Sequence, residues 1–513
     1  MPVPDSMPGS DLLHEWLRAS AVATPDAVAI VEEERITSFG NLFAQAQSLA
    51  LCFREHGIQP GDRIVLTLPK STDAIIAVFA SLLSGAIYVP IHPRWPQERI
   101  EAVLAECEAR LLIDGDNASL RIVDLRKRSG APGPDFGTWE QCCRMPQVSP
   151  LRPGKRPSMR AEDTAVILFT SGSTGRPKGV ELTHRAVSAF VRWTAQEFQI
   201  TADDRIAVPS PLGFDLSTFD LFSMALCGAT VVLVPEHIAW MPRFLVQFLR
   251  DARITCWYSV PSMLAGMLQE GRMAAYSYPD LRLILFAGEV FPTPALVKLQ
   301  AAVPYADCVN LYGPTETNVV TWQRVPPRFD GSQPLPIGLP CPYARVRTDE
   351  SNGELLVGGA SLMRGYWNRS EETRHCMVML NDDQYYRTGD RVSITPEGRY
   401  LFAGRLDRQV KRRGFRVELG EIEAALLSYG DILEAAVVSI ESGETGVMIA
   451  AFIRLGSVGA VTLADLKTHC GHRLPSYMMP DCFHFIDVIA KGNRGKIDYL
   501  ALGKIAEGFK RAD

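Results

Sequence analysis

Several common signatures are missing from this 513-residue sequence. There is no H-E-x-x-H pair for a zinc site and no G-x-S-x-G elbow for a serine hydrolase. The 11 cysteines are scattered and none forms C-x-x-C, so a disulfide or redox framework is not expected and a reducing cytoplasm fits better. The adjacent pair Cys142-Cys143 reads as two ordinary neighbouring thiols. His469, Cys470 and His472 cluster without a second ligand pair, which argues against a metal site. A surplus of positive charge is also lacking. The net charge is −5, whereas a protein that neutralises phosphates along a nucleic acid needs a basic field. Internal repeats and low-complexity tracts are absent. The opening residues MPVPDSMPGS lack the basic and apolar regions of a secretory signal. The longest run without an acidic or basic residue, Ala74 to Pro93, is long enough to span a bilayer. Ser81, Ser84, Gly85 and Pro90 interrupt it, so it reads as a helix to about Leu83, a turn at Ser84-Gly85 and a buried strand Ile87–Val89. No membrane association is expected.

What is present is ordinary globular composition, 47% hydrophobic and 22% charged, enough for a large core. At roughly 150 residues per domain the length suggests about three domains, with two large ones equally compatible. An amphipathic stretch Asp11–Ala23 is followed by apolar runs at Arg63–Leu68, Thr164–Phe169, Thr230–Val234 and Arg282–Ala287. Helical patterns such as Ser217–Leu226 and Phe244–Ala252 separate them. Alternation of this kind predicts an α/β fold with parallel sheets covered by helices. From Gly331 to Arg399 proline and glycine rise and short strands appear, which predicts a β-rich subdomain. The last hundred or so residues read as a small α+β module. It has a strand-like Gln409–Glu418, a helix Leu419–Tyr429, strands Leu433–Ile440 and Val447–Leu455, a helix Leu463–Arg473 and a last strand Phe483–Ile489. The expected division is 1–405 for a large N-terminal body and 406–513 for a small C-terminal lid.

The most informative stretch is LFTSGSTGRPKGV, Leu168–Val180. It follows a buried-strand pattern and packs hydroxyls and glycines ahead of Lys178. Glycines let a backbone approach an anion, hydroxyls donate to it, and the lysine adds a point charge. It is not a Walker A loop, which needs G-x-x-x-x-G-K-[ST].

This loop resembles the signature of the adenylate-forming superfamily of acyl-CoA synthetases, luciferases and nonribosomal peptide adenylation domains. The resemblance continues in order through NLYGPTETNVV (Asn310–Val320), GELLVGG (Gly353–Gly359), YRTGD (Tyr386–Asp390), GRLDRQVKRRGFRVELGEIE (Gly404–Glu423) and NRGKIDYLAL (Asn493–Leu502). It implies a two-step reaction. A carboxylate attacks the α-phosphate of ATP and expels pyrophosphate, and a thiol then attacks the acyl carbon and expels AMP. The first step joins two anions, so positive charge and fixed donors are needed.

By the same resemblance, Thr170, Ser171, Gly172, Ser173, Thr174 and Lys178 would hold the β- and γ-phosphates. Tyr312 would stack on adenine, Thr315 would bond the α-phosphate and Glu316 would ligate Mg²⁺. Asp390 would bind the ribose hydroxyls, with Arg405 nearby. Lys496 would bridge the substrate carboxylate and the α-phosphate. Asp407 would be the hinge on which the lid rotates, bringing Lys496 in for the first step and the Lys411–Arg416 loop in for the second.

Asp215, in PLGFDLSTFDLF, discriminates among acids. Amino-acid-activating members carry an aspartate there for the α-ammonium, and fatty-acyl members do not. A helix N-cap is the structural alternative. The specificity pocket implied by the family is Asp215, Leu216, Phe219, Tyr258, Leu285, Ala287, Leu311, Val319, Val320 and Lys496. Its lining is otherwise apolar, with one hydroxyl from Tyr258, so a charged side chain would be desolvated without a partner. A small apolar amino acid is expected. The pattern is most similar to stand-alone proline-activating members, although Val320 stands where a cysteine is expected, which leaves pipecolate, valine and leucine open. Only 17 residues follow Lys496. No carrier segment is therefore expected in the chain, and the acceptor thiol should come from a separate carrier protein. The other readings are an acyl-CoA synthetase and a non-catalytic nucleotide-binding regulator.

Overall fold

The structure is a computed structural model that describes residues 9–116, 119–125, 158–172, 177–441, 446–456, 461–491 and 497–510. Two large sheets form the body. In one, six strands run parallel in the order Val28–Glu32, Thr230–Leu233, Arg205–Val208, Cys256–Ser259, Leu283–Ala287 and Asp307–Tyr312. In the other, Leu111–Asp116, Arg63–Thr67, Ile87–Pro90 and Thr164–Thr170 are parallel neighbours. These strands are continuous apolar runs because helices cover both of their faces.

The expectation of parallel sheets holds for their centres only. Both edges of each sheet are antiparallel. Lys178–Thr183 folds straight back on Thr164–Thr170, and Thr321–Arg324 folds back on Asp307–Tyr312. In each case a short loop joins the two strands, and a short loop permits only antiparallel pairing. These two loops carry the phosphate-loop motif and the Gly313–Thr317 turn.

The stretch long enough for a membrane is a helix, Thr72–Ser84, with only Asp73 and Leu83 not fully buried. Ser71 caps its start by accepting from the Ala74 amide, and Gly85 ends it at φ 85°. It packs into a core shared by both sheets, so its apolar surface is covered by protein on every side. Among the described residues no helix is long and apolar enough to cross a membrane.

Residues Ala344–Arg405 form the expected β-rich unit, an antiparallel sheet whose long strand Asp383–Ile394 pairs with Tyr400–Arg405. After it come a two-stranded hairpin and a three-stranded sheet, Ile432–Glu441, Val447–Leu455 and Cys482–Phe485, packed by helices Leu419–Leu427 and Leu463–Gly471 around a core of their own. The segment Gln409–Glu418 is two strands rather than one. Arg413 at φ 52° and Gly414 at φ 81° turn Gln409–Arg412 back on Phe415–Glu418. The last strand stops at Phe485, short of the expected Ile489.

Candidate active site

In open α/β sheets, ligands bind beyond the carboxyl ends of parallel strands. A cavity of about 120 Å³ lies there. Phe214 and Asp215 follow Arg205–Val208, Val260 follows Cys256–Ser259, Gly288 follows Leu283–Ala287, and Gly313–Thr315 follow Asp307–Tyr312. From the second sheet come Thr170 and Ser171. The Gly313 turn is tight because the Val320 amide donates to the Tyr312 carbonyl at 2.7 Å. A Cβ at Gly313 would stand 1.6 Å from the Asn318 carbonyl oxygen, so only glycine fits.

Asp390 is 2% exposed. Its carboxylate accepts from the Tyr312 hydroxyl at 2.5 Å and from Arg405, which also forks onto Asp407 at 2.6 and 2.7 Å. Burial, then the Asp390 charge, pushes the Tyr312 hydroxyl far above its usual range, so it stays a donor. Glu316 is fully buried and accepts from the Tyr366 hydroxyl at 2.6 Å and from Arg416 at 2.7 and 2.8 Å. Burial, the largest single influence, would raise this carboxyl, but Arg416 and the hydrogen bonds from Tyr366 and Tyr386 together outweigh it and hold it below the usual range. Asp215 precedes the helix Leu216–Cys227 yet makes no side-chain capping bond. Its carboxylate is bonded by Thr315 instead. Burial raises its pKa, opposed by Thr315 and Lys411.

Most of the expected residues converge. Thr170, Ser171, Asp215, Leu216, Tyr258, Ala287, Thr315, Val319, Asp390 and Arg405 line the cavity. Phe219 stands behind Tyr258, edge to face at 5.6 Å between centroids. Leu285 and Val320 are fully buried and back the wall from the core. Leu311 and Tyr312 line an adjoining cavity of about 1100 Å³ between body and lid. Lys178 places its ammonium 5.3 Å from the centroid of the Tyr366 ring, next to Glu316's partner. Gly172 is met by a lid carboxylate. Ser173, Thr174 and Lys496 lie outside the described residues, as does the Cys142-Cys143 pair.

The hairpin Gln409–Glu418 of the C-terminal domain reaches into the cavity through Gln409, Lys411, Gly414, Phe415 and Arg416. Lys411 lies 5.9 Å from the Tyr312 ring, and burial lowers its pKa. The Gly414 amide donates to Glu289 at 2.6 Å. Phe415 stacks on Tyr477 at 3.6 Å and meets Phe214 edge-on at 4.6 Å. Tyr477, Asn318 and Glu289 were not singled out in the sequence: Tyr477 meets the site only through long-range folding, whereas Asn318 lies within the motif Asn310–Val320 and Glu289 just beyond the strand Leu283–Ala287, and their places beside residues given roles there were the signal that could have found them.

The AMP-binding enzyme family matches residues 17–367, and the AMP-binding enzyme C-terminal domain matches residues 421–496. An L-proline--[L-prolyl-carrier protein] ligase of Pseudomonas fluorescens is 36% identical, covering 97% of this chain and 100% of the relative. A protein of the same description from Streptomyces coelicolor is 37% identical over 93% of each chain. Among solved structures, holo-PA1221, an NRPS protein containing adenylation and PCP domains bound to a vinylsulfonamide inhibitor, is 25% identical. Its TM-score is 0.81, covering 97% of this chain and 84% of that one. With both regions matched across one continuous site, the chain belongs to the AMP-binding enzyme family and is an ATP-dependent, adenylate-forming ligase.

Proposed function

We propose that the chain activates L-proline as prolyl-AMP and passes the prolyl group to the phosphopantetheine thiol of a separate carrier protein. The observation that carries this reading is Asp215. It is a half-buried carboxylate, free of capping duty, set among Leu216, Tyr258, Ala287 and Val319. A carboxylate there suits an ammonium, and apolar walls suit a small aliphatic ring. The relatives described as L-proline carrier-protein ligases support the same substrate and acceptor.

In the first step the proline carboxylate attacks the α-phosphorus, and the bond to the β-phosphate oxygen breaks. Thr315 and Lys496 would meet the negative charge that gathers where the two anions join. Thr170, Ser171, Gly172, Ser173, Thr174 and Lys178 would hold the departing pyrophosphate. Asp390 would accept from the ribose hydroxyls, with Arg405 fixing its orientation. Glu316, a hard and ionised oxygen donor, fits Mg²⁺, which would neutralise phosphate charge once Arg416 withdraws. In the second step the carrier thiol loses its proton, the sulfur attacks the prolyl carbon, and AMP leaves. We place the boundary between residues 405 and 406, with Asp407 as the hinge, so that the lid can serve both steps.

Pyrophosphate exchange measured across the amino acids tests the substrate. Proline should be fastest, and faster exchange with leucine would end the proline reading. The hairpin makes a second test. Gly414 is at φ 81°, and a Cβ there would stand 2.5 Å from a Val260 methyl. Left-handed backbone costs a non-glycine residue roughly 1–2 kcal/mol, so Gly414→Ala should depopulate the docked hairpin about tenfold. Transfer to the carrier should fall accordingly, and by at least about fivefold more than pyrophosphate exchange. Equal effects on both steps would mean that the hairpin does not act in transfer.

A further inference from the structure

A second contact ties the lid to the body through Arg99 and Glu421, which the two-step chemistry leaves unused. Glu421, on the helix Leu419–Leu427, is 2% exposed. One of its oxygens accepts from the Gly172 amide at 3.3 Å, and the other is held by Arg99. Arg99 comes from the helix Gln97–Glu106 and is 5% exposed, with its guanidinium carbon 4.8 Å from the Trp95 ring centroid. Next to Gly172, Ser171 donates to the Arg416 carbonyl at 2.7 Å. Arg416, five residues before Glu421, forks onto Glu316. The lid therefore sets a carboxylate on the phosphate loop and a cation on the carboxylate opposite. That pair has the sign pattern of a metal–pyrophosphate complex.

We propose that Arg99 is a positioning residue for the transfer step: it latches the lid by holding Glu421 on the phosphate loop, and inorganic pyrophosphate competes with Glu421 for that place. The proposal rests on the reading of Leu168–Val180 as a phosphate cradle. Two anions cannot share the Gly172 amide, so the lid docks on this face only after pyrophosphate has left. A buried carboxylate also cannot dock without its cation, because desolvation then goes uncompensated. Arg99 thus supplies the charge that makes docking of Glu421 favourable, and a neutral residue at either position should leave the lid loose.

Hydrogen exchange of Leu419–Leu427 in the full chain, with and without magnesium pyrophosphate, tests the latch. In the wild type, pyrophosphate should speed exchange of these amides at least tenfold. Arg99→Gln should show the fast rate without pyrophosphate and respond no further, and Arg99→Lys should recover part of the protection. Arg99→Gln should keep pyrophosphate exchange within threefold of wild type while transfer to the carrier falls at least tenfold. Wild-type protection in Arg99→Gln, or protection indifferent to pyrophosphate, would overturn the proposal. If Arg99→Gln proves unfolded by thermal melting, Glu421→Gln carries the same comparison from the lid side. Failure of the wild type to activate any amino acid would sink the proposed function, while the response of the lid to pyrophosphate would still decide the latch.

Discussion

Lys496→Ala should lower proline-dependent pyrophosphate exchange by at least about a hundredfold, the usual cost of losing one electrostatic stabiliser of a transition state. The argument is one of charge. Proline's carboxylate and the α-phosphate repel each other as they close, and no water screens them inside a shut site. A lysine reaching both would offset that repulsion most where the new bond is half formed, so the loss should fall on kcat rather than KM. The neighbours of this lysine stay on the lid. Lys491 pairs with Glu434 and bridges Ile497. The face that this structure turns to the cavity is the hairpin Gln409–Glu418 instead. Transfer from supplied prolyl-AMP should therefore survive the substitution within a few-fold. Exchange near the wild-type rate in Lys496→Ala would remove this residue from the adenylation step, and equal loss in both steps would point to general damage.

Local sequence carried the parts of the fold whose causes are local. The run Thr164–Phe169 is apolar on both faces, so it had to be a covered strand, and the structure has Thr164–Thr170. Ser71 and Gly85 bracket a helix that length alone would have sent into a membrane. Tyr312 and Thr315 were legible because their motif falls at the end of Asp307–Tyr312, where the parallel arrangement gathers loops; Asp390 and Arg405, paired across the antiparallel strands Asp383–Ile394 and Tyr400–Arg405, were legible only through the family resemblance of their motifs. Where the cause lay far along the chain, the reading ran out. Nothing in the sequence near Gln409–Glu418 signals the close packing of Gly414 against Val260, and the segment read as one strand. Tyr477 reaches the site by stacking on Phe415, 62 positions earlier, which no local pattern encodes. The pairing of Arg99 with Glu421 spans 322 positions and joins the body to the C-terminal domain.

Asp215→Asn should reduce kcat/KM for proline by at least about a hundredfold, mostly through KM, with the KM for ATP nearly unchanged. Removing one partner of a desolvated charge pair costs about 2–5 kcal/mol, which is roughly thirty- to several-thousandfold. Asparagine keeps the shape, and the carboxylate makes no capping bond to the helix Leu216–Cys227, so stability should hardly move. A structural role would do the opposite and lower the melting temperature while sparing KM. The pH dependence gives a second readout. Burial raises the Asp215 pKa, while an ammonium binds only the ionised form. Below that raised pKa, kcat/KM for proline should fall about tenfold per pH unit, and above it the value should level off. The asparagine variant has no such group and should lose this acidic limb. Cyclopentanecarboxylate, which has the ring without the ammonium, should be a poor substrate for the wild type. Because the variant offers the ammonium no counter-charge, its preference for proline over that analogue should shrink towards unity or below it. A preference that survived Asp215→Asn intact would assign recognition of the ammonium to another group.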